Sequence, residues 1–153
     1  MSCGLWVMGY TVINYHFYMA NRITSFEDLV IWQKAQELAV KVYRLADANK
    51  FIKKDFILKG QLKSAVMSIS DNISEGFEYN NNPDFHKFLR IAKGSCGETR
   101  NKILFVKKMN YIDEVTGNDL NEEAKILARQ IGGLIKKVKQ KIVDERKPKA
   151  RNS

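Results

Sequence analysis

SISDNISEGFEYNNNPDF, Ser68 to Phe85, decides the fold. Ile69 and Ile73 recur four residues apart, which is the spacing of one helix face rather than the alternation of a strand. A Glu-Gly pair follows, then a run of asparagines, then Asn-Pro-Asp. Gly76 is expected to take the left-handed conformation that ends a helix after Glu75. Asn82 is expected to cap the next helix, with Pro83 at its first position and Asp84 in its first turn. The stretch reads as a helix-to-helix corner.

Working outward, the helix before the corner runs from about Lys54 to Glu75 on the stripe Leu62, Val66, Ile69 and Ile73. The helix after it runs from Pro83 to about Met109, with Phe85, Phe88 or Leu89, Ala92, Cys96, Thr99, Ile103 and Val106 facing inward. An earlier helix spans about Phe26 to Asp47 on Ile31, Ala35, Leu38, Val42 and Leu45. Ser25 is placed to cap it and Asp28 to complete a short capping box. A fourth, from Asp119 to about Val143, carries Leu120, Ala124, Leu127, Ile131, Leu134 and Val138. Two prolines and nine glycines in 153 residues argue against a turn-dense β fold, and 44% hydrophobic residues suffice for one ordinary core. Four helices with short links imply antiparallel neighbours. The fold class is therefore all-α, an up-down-up-down four-helix bundle over residues 19–143.

The ends differ from the body. Residues 1–18 are apolar and aromatic, yet lack a basic leading region and are broken by Asn14 and His16, which suits neither a signal peptide nor a spanning helix. They read as an extension outside the folded domain, since MANRITSFEDL from Met19 resembles an ordinary cytosolic N-terminus. A membrane-touching segment is the alternative. The chain carries +9, and +6 of it falls between Lys136 and Ser153. Lys136, Lys137, Lys139, Lys141, Arg146, Lys147, Lys149 and Arg151 make that segment a polyanion-binding candidate; a merely solvated tail, disordered over 144–153, is the plainer reading. Cys3 and Cys96 are too few for a disulfide framework or a metal site, so a reduced cytoplasmic setting is expected.

A second basic feature lies on the third helix, where Arg90, Lys93, Arg100 and Lys107 share one stripe. Positive charge along a face can follow phosphates without base-reading geometry. The second helix carries a polar stripe, Gln61, Ser68, Asn72 and Glu75, beside its apolar one. Gln61 and Asn72, with Glu98 from the third helix, are expected to form hydrogen bonds between helices or across a subunit interface, with ligand contact as the alternative. No histidine or lysine is placed to activate Ser68. His16 and His86 have no ligand partner at helical spacing, and no phosphate loop is present. No catalytic residue, metal or cofactor is assigned.

QLKSAVMSISDNISEG (Gln61–Gly76), FEDLVIWQKAQELAVKVY (Phe26–Tyr43) and FHKFLRIAKGSCGETRNKI (Phe85–Ile103), with the small-residue cluster Gly94, Ser95 and Gly97, resemble the four-helix-bundle proteins encoded in intervening sequences of bacterial 23S rRNA. The resemblance covers about Phe26 to Val138. Two departures stand out: FIKKDF replaces the usual proline-containing turn before the second helix, and Glu98-Thr99 replaces the usual Glu-Leu pair. The resemblance implies a ring-shaped homopentamer without known enzymatic activity; Trp32 and Tyr43, expected to be exposed, agree with self-association. More distantly, by fold alone, it points to the accessory protein of diversity-generating retroelements, which binds a reverse transcriptase and nucleic acid. The expected function is non-enzymatic binding of nucleic acid, RNA before DNA. The alternative is a scaffold docking a reverse transcriptase or another element-encoded enzyme.

Overall fold

The computed structural model describes residues 23–147, which form α1 (Val30–Ala48), α2 (Phe56–Glu78), α3 (Asn82–Lys108) and α4 (Glu114–Glu145). No strand occurs among the described residues. Single 3-10 turns, Phe26–Asp28 and Ile52–Lys54, lead into α1 and α2. Each helix packs against its sequence neighbour, and α4 also closes on α1. Side-chain bonds fix the directions. Gln36 near the start of α1 meets Ser70 late in α2, Lys102 late in α3 meets Gln61 early in α2, and Asn82 at the start of α3 meets Glu145 at the end of α4. Lys41, in the second half of α1, pairs with Glu123 early in α4 at 2.8 Å. Consecutive helices therefore run antiparallel, up-down-up-down. Residues 1–18, Lys149 and Arg151 lie outside the described residues.

The helical stripes become the core. Ile31, Ala35, Leu38, Val42, Leu62, Val66, Ile69 and Ile73 are buried from α1 and α2. Leu89, Ala92, Cys96, Ile103, Val106, Leu120, Ala124, Leu127, Ile131 and Val138 close it from α3 and α4. Burying one such Leu or Ile contributes about 1.5–3 kcal/mol, so the apolar interior rather than any surface pair holds the bundle. Leu45 and Leu134 are only half-buried, and Ala46 takes the innermost place at the end of α1. Trp32 and Tyr43 are not exposed as expected. Both are half-buried against the core, Trp32 with its ring 5.2 Å from that of Phe26 and Tyr43 beneath the Lys63 ammonium at 4.6 Å.

Helix boundaries move where several residues could cap. At the first, the Asp28 carboxylate accepts from the Thr24 and Ser25 N–H groups, but this closes only a 3-10 turn. Leu29 then takes an extended conformation (φ −75°, ψ 117°), and α1 begins at Val30. In FIKKDF, Ile52 is buried by the 3-10 turn and Asp55 caps α2, its Oδ1 accepting from Leu58 N–H at 2.9 Å. α4 starts at Glu114, five residues before the expected Asp119, because Asp113 accepts from both the N–H (2.8 Å) and the hydroxyl (2.7 Å) of Thr116. Those bonds hold the Asp113 carboxyl below its ordinary range.

The corner itself corrects two expectations. Asn81, not Asn82, caps α3, its Oδ1 accepting from Asp84 N–H at 2.9 Å; Asn82 opens the helix and Pro83 follows it. Gly76 does not end α2, which continues to Glu78, and the left-handed residue is Asn80 (φ 53°). Gly76 is buried because α3 crosses it. A Cβ there would stand 2.6 Å from Phe88 Cβ, an atom fixed to the backbone that cannot turn aside. Its role is close approach, not chain reversal.

Gly76→Ala is therefore expected to lower unfolding stability by about 1–3 kcal/mol through overpacking. Gly133→Ala, where a Cβ meets nothing within 4 Å, is expected to raise it by about 0.5–1 kcal/mol. Urea unfolding followed by circular dichroism reads both; equal effects would refute the close-approach role.

Candidate nucleic-acid interface

α3 and α4 are antiparallel, so residues early in α3 face residues late in α4. This register brings Arg90 and Lys93 beside Lys136 and Lys139, with His86, Gly94 and Ile135 completing one open groove. Each basic pair is three residues apart, about 4.5 Å along its helix. Lys93 lies across α4 over Gly132, where an added Cβ would stand 3.7 Å from its Cε and Nζ. No carboxylate is among the lining residues. Arg90, Lys93, Lys136 and Lys139 are all exposed, and none of them has an ion pair among the described residues.

The remaining basic candidates divide. Arg100 and Lys107 do not continue the stripe as free charges. The Arg100 Nε–H donates to Asn121 Oδ1 at 3.1 Å, and Lys107 pairs with Glu114 at 2.8 Å and donates to Asn118 Oδ1 at 2.9 Å. Both side chains are half-buried and tie the end of α3 to the start of α4. Lys137 and Lys141 are exposed on α4. Arg146 follows the end of the helix, and Lys147 pairs with Asp144 at 2.8 Å.

The polar stripe is a hydrogen-bond relay between α2 and α3. Ser68 Oγ lies 2.9 Å from Ser95 Oγ, the Asn72 amide donates to Ser68 O (2.6 Å) and Oγ (3.0 Å), and Ser95 Oγ donates to Ile91 O at 3.1 Å. Gln61 Oε1 accepts from Lys102, which also lies 3.7 Å from Glu98. Glu75 is exposed, and Gly76 continues the same helix into the close crossing. Sequence reading missed a parallel contact between α1 and α2, where the Gln36 amide donates to Ser70 Oγ at 2.9 Å. It was hidden because Gln36 sits beside the apolar stripe, where a polar residue ordinarily reads as solvated. His86 and Ile135 were missed as groove residues for another reason: facing positions across two helices follow from register, which one helix's periodicity does not contain.

Cys96 and Thr99 are buried on α3. Burial pushes the Cys96 thiol up to about 12, which leaves no thiolate at neutral pH. Thr99 is fully buried, and its hydroxyl oxygen has no hydrogen-bond partner among the described residues.

A four-helix bundle with a carboxylate-free basic groove between two of its helices is the class that fold and surface define. The model of the 23S rRNA-intervening sequence protein family matches residues 27–133, and the chain belongs to that family. A crystal structure of a protein of unknown function from the S23 ribosomal protein family of Bacteroides thetaiotaomicron is similar over 70% of this chain and 99% of that one. Its TM-score is 0.64 at 24% identity, a likeness of fold. No curated protein matches the chain.

The orphaned hydroxyl of Thr99 gives a test of the core. Thr99→Val removes it at nearly constant volume and is expected to stabilise the bundle by about 1 kcal/mol in denaturant unfolding, since a buried unsatisfied polar group costs about 1–3 kcal/mol. A loss of stability would mean that the hydroxyl is satisfied.

Proposed function

We propose that the protein is a non-enzymatic, oligomeric, cytoplasmic bundle that binds structured RNA along the groove between α3 and α4. The observation that carries this reading is the convergence of Arg90, Lys93, Lys136 and Lys139 on one open surface without a lining carboxylate. Such a surface attracts phosphate through charge and counterion release, with little dependence on base identity. The family's name supports RNA as the polyanion. An A-form helix is recognised mostly by shape and backbone, which suits a groove that offers cations without base-reading geometry.

The nucleophile candidates support a non-enzymatic reading. Ser68 Oγ is held by Ser95 and Asn72, neither of them a base that could take its proton, and Cys96 is buried with its thiol pushed up. Self-association is supported by Ile91, Leu104 and Phe105, which stand 39–51% exposed on α3. Gly97 on the same helix has open space where a side chain would be. A ring-shaped homopentamer is the assembly we assign, and light scattering at micromolar concentration should give a mass near that of five chains. A monomer at that concentration would overturn the ring.

The RNA reading is tested by anisotropy titration of a labelled RNA duplex at several salt concentrations. Replacing Arg90, Lys93, Lys136 and Lys139 with glutamine should weaken binding and lower the salt slope by roughly 0.7–0.9 per lost phosphate contact. Replacing Arg100 and Lys107, whose side chains are engaged by α4, should leave the slope unchanged. If the groove variant binds with the parent's slope, the groove is solvated surface, and docking of a partner protein becomes the better reading.

A further inference from the structure

The bundle end remote from Asn82 and Glu145 carries a second surface of different chemistry. There the link between α1 and α2 meets the link between α3 and α4, and Phe51, Lys54, Asp55, Phe56, Ile57 and Tyr111 line an open recess. Phe56 is 81% exposed, Ile57 75% and Phe51 44%. Large side chains this open contribute little to the core, and Phe56 belongs to no ring pair among the described residues.

The recess is built, not slack. Phe51 and Tyr111 stack with centroids 5.1 Å apart and planes 15° from parallel. Asn49 locks the pair: its amide donates to Tyr111 O at 2.6 Å, and its Oδ1 accepts from the N–H groups of Phe51 and Ile52 at 3.0 Å each. The surround is cationic. Lys54 lines the recess, and Lys50 Nζ lies 4.9 Å from the centre of the Phe51 ring. Lys53, next to Lys54 in the chain, is exposed like it, and neither Lys53 nor Lys54 has an ion pair among the described residues. Asp55, the acid in the lining, uses its Oδ1 to accept from Leu58 N–H as the cap of α2.

The occupant that matches fixed flat rings inside a lysine rim is itself flat, apolar on its faces and anionic. We infer that this recess binds unpaired nucleotides of RNA, a base entering between Phe56 and the Phe51–Tyr111 pair while Lys53 and Lys54 hold the flanking phosphates. Base–aromatic stacking tolerates any base, and positive charge follows the strand. The inference rests on the RNA reading above but concerns a separate site. The α3–α4 groove has no aromatic ring beyond His86 and suits a duplex backbone, whereas this recess suits a strand that leaves the duplex.

The test uses the full chain and a fluorescein-labelled uridine dodecamer, with the RNA duplex titrated in parallel. Phe56→Leu keeps an apolar side chain but removes the stacking face, and at 81% exposure the change leaves the core untouched. It should weaken dodecamer binding by roughly 5- to 150-fold, the loss corresponding to one stacked base, and spare the duplex. Phe56→Trp should restore the affinity. Lys53→Gln with Lys54→Gln should lower the dodecamer's salt slope by about 1.4. Dodecamer affinity unchanged in Phe56→Leu, while duplex binding still depends on the groove, overturns this inference and leaves the RNA reading standing. Failure of the parent to bind either RNA overturns both. If Phe56→Leu instead abolishes self-association, or binding to phosphatidylserine vesicles, without altering dodecamer affinity, the recess is a protein or membrane contact and the inference is wrong.

Discussion

The crossing of α2 and α3 at Gly76 is the constraint on which the other contacts depend. With no side chain at Gly76, Phe88 can lie against the α2 backbone; even one added carbon would meet it at 2.6 Å. Helices this close let Ser68 and Ser95 share a hydrogen bond at 2.9 Å. Two aromatic pairs then close the corner above the crossing: Phe77 edge-on to Phe85 with centroids 6.1 Å apart, and Tyr79 stacked on Phe88 at 5.3 Å. Small and amide side chains along α2 are thus the means of approach, and each hydroxyl or amide drawn inward finds a partner on its own or the facing helix. Thr99 is the departure from that pattern.

α3, once placed by α2, positions α4, and the basic residues serve two purposes. Arg100 and Lys107 hold Asn121, Asn118 and Glu114 at one end of the helix pair, while Arg90 and Lys93 at the other end face Lys136 and Lys139. A lysine beside a carboxylate at 2.8 Å is largely neutralised; the same residue type in a groove without carboxylates is not. Charge along α3 is therefore uneven in effect though nearly even in sequence. Among the described residues no helix is long and apolar enough to cross a membrane.

The architecture was legible because helical periodicity is imposed by burial. Apart from stripe residues such as Leu45 and Leu134, which are half-buried, the buried stripes fell where the spacing placed them. The boundaries were less so. Asn80, Asn81 and Asn82 are chemically identical, yet one is left-handed, one caps α3 and one reaches Glu145. Only the tertiary setting distinguishes them. Thr116 and Gly117 precede the expected start of the fourth helix at Asp119, but Asp113 caps the helix ahead of them, and Gly117 is covered by the Lys107 side chain, 2.6 Å from where a Cβ would be. For the site, spacing identified a basic stripe but could not say which cations were already engaged. One anchor, such as Asn82 facing Glu145, would have placed Arg90 near Lys136, because facing positions in an antiparallel pair move in opposite directions along the two helices.

The central claim is that the cations between α3 and α4 that have no ion pair among the described residues, rather than basic charge in general, meet RNA. Lysine acetylation footprinting of the intact protein, with and without a saturating RNA duplex, measures this directly. Protection is expected at Lys93, Lys136 and Lys139, with Lys34 on α1 and Lys125 on the early part of α4 labelled as in the free protein. Uniform protection of all these lysines, or none in the groove, would contradict the account.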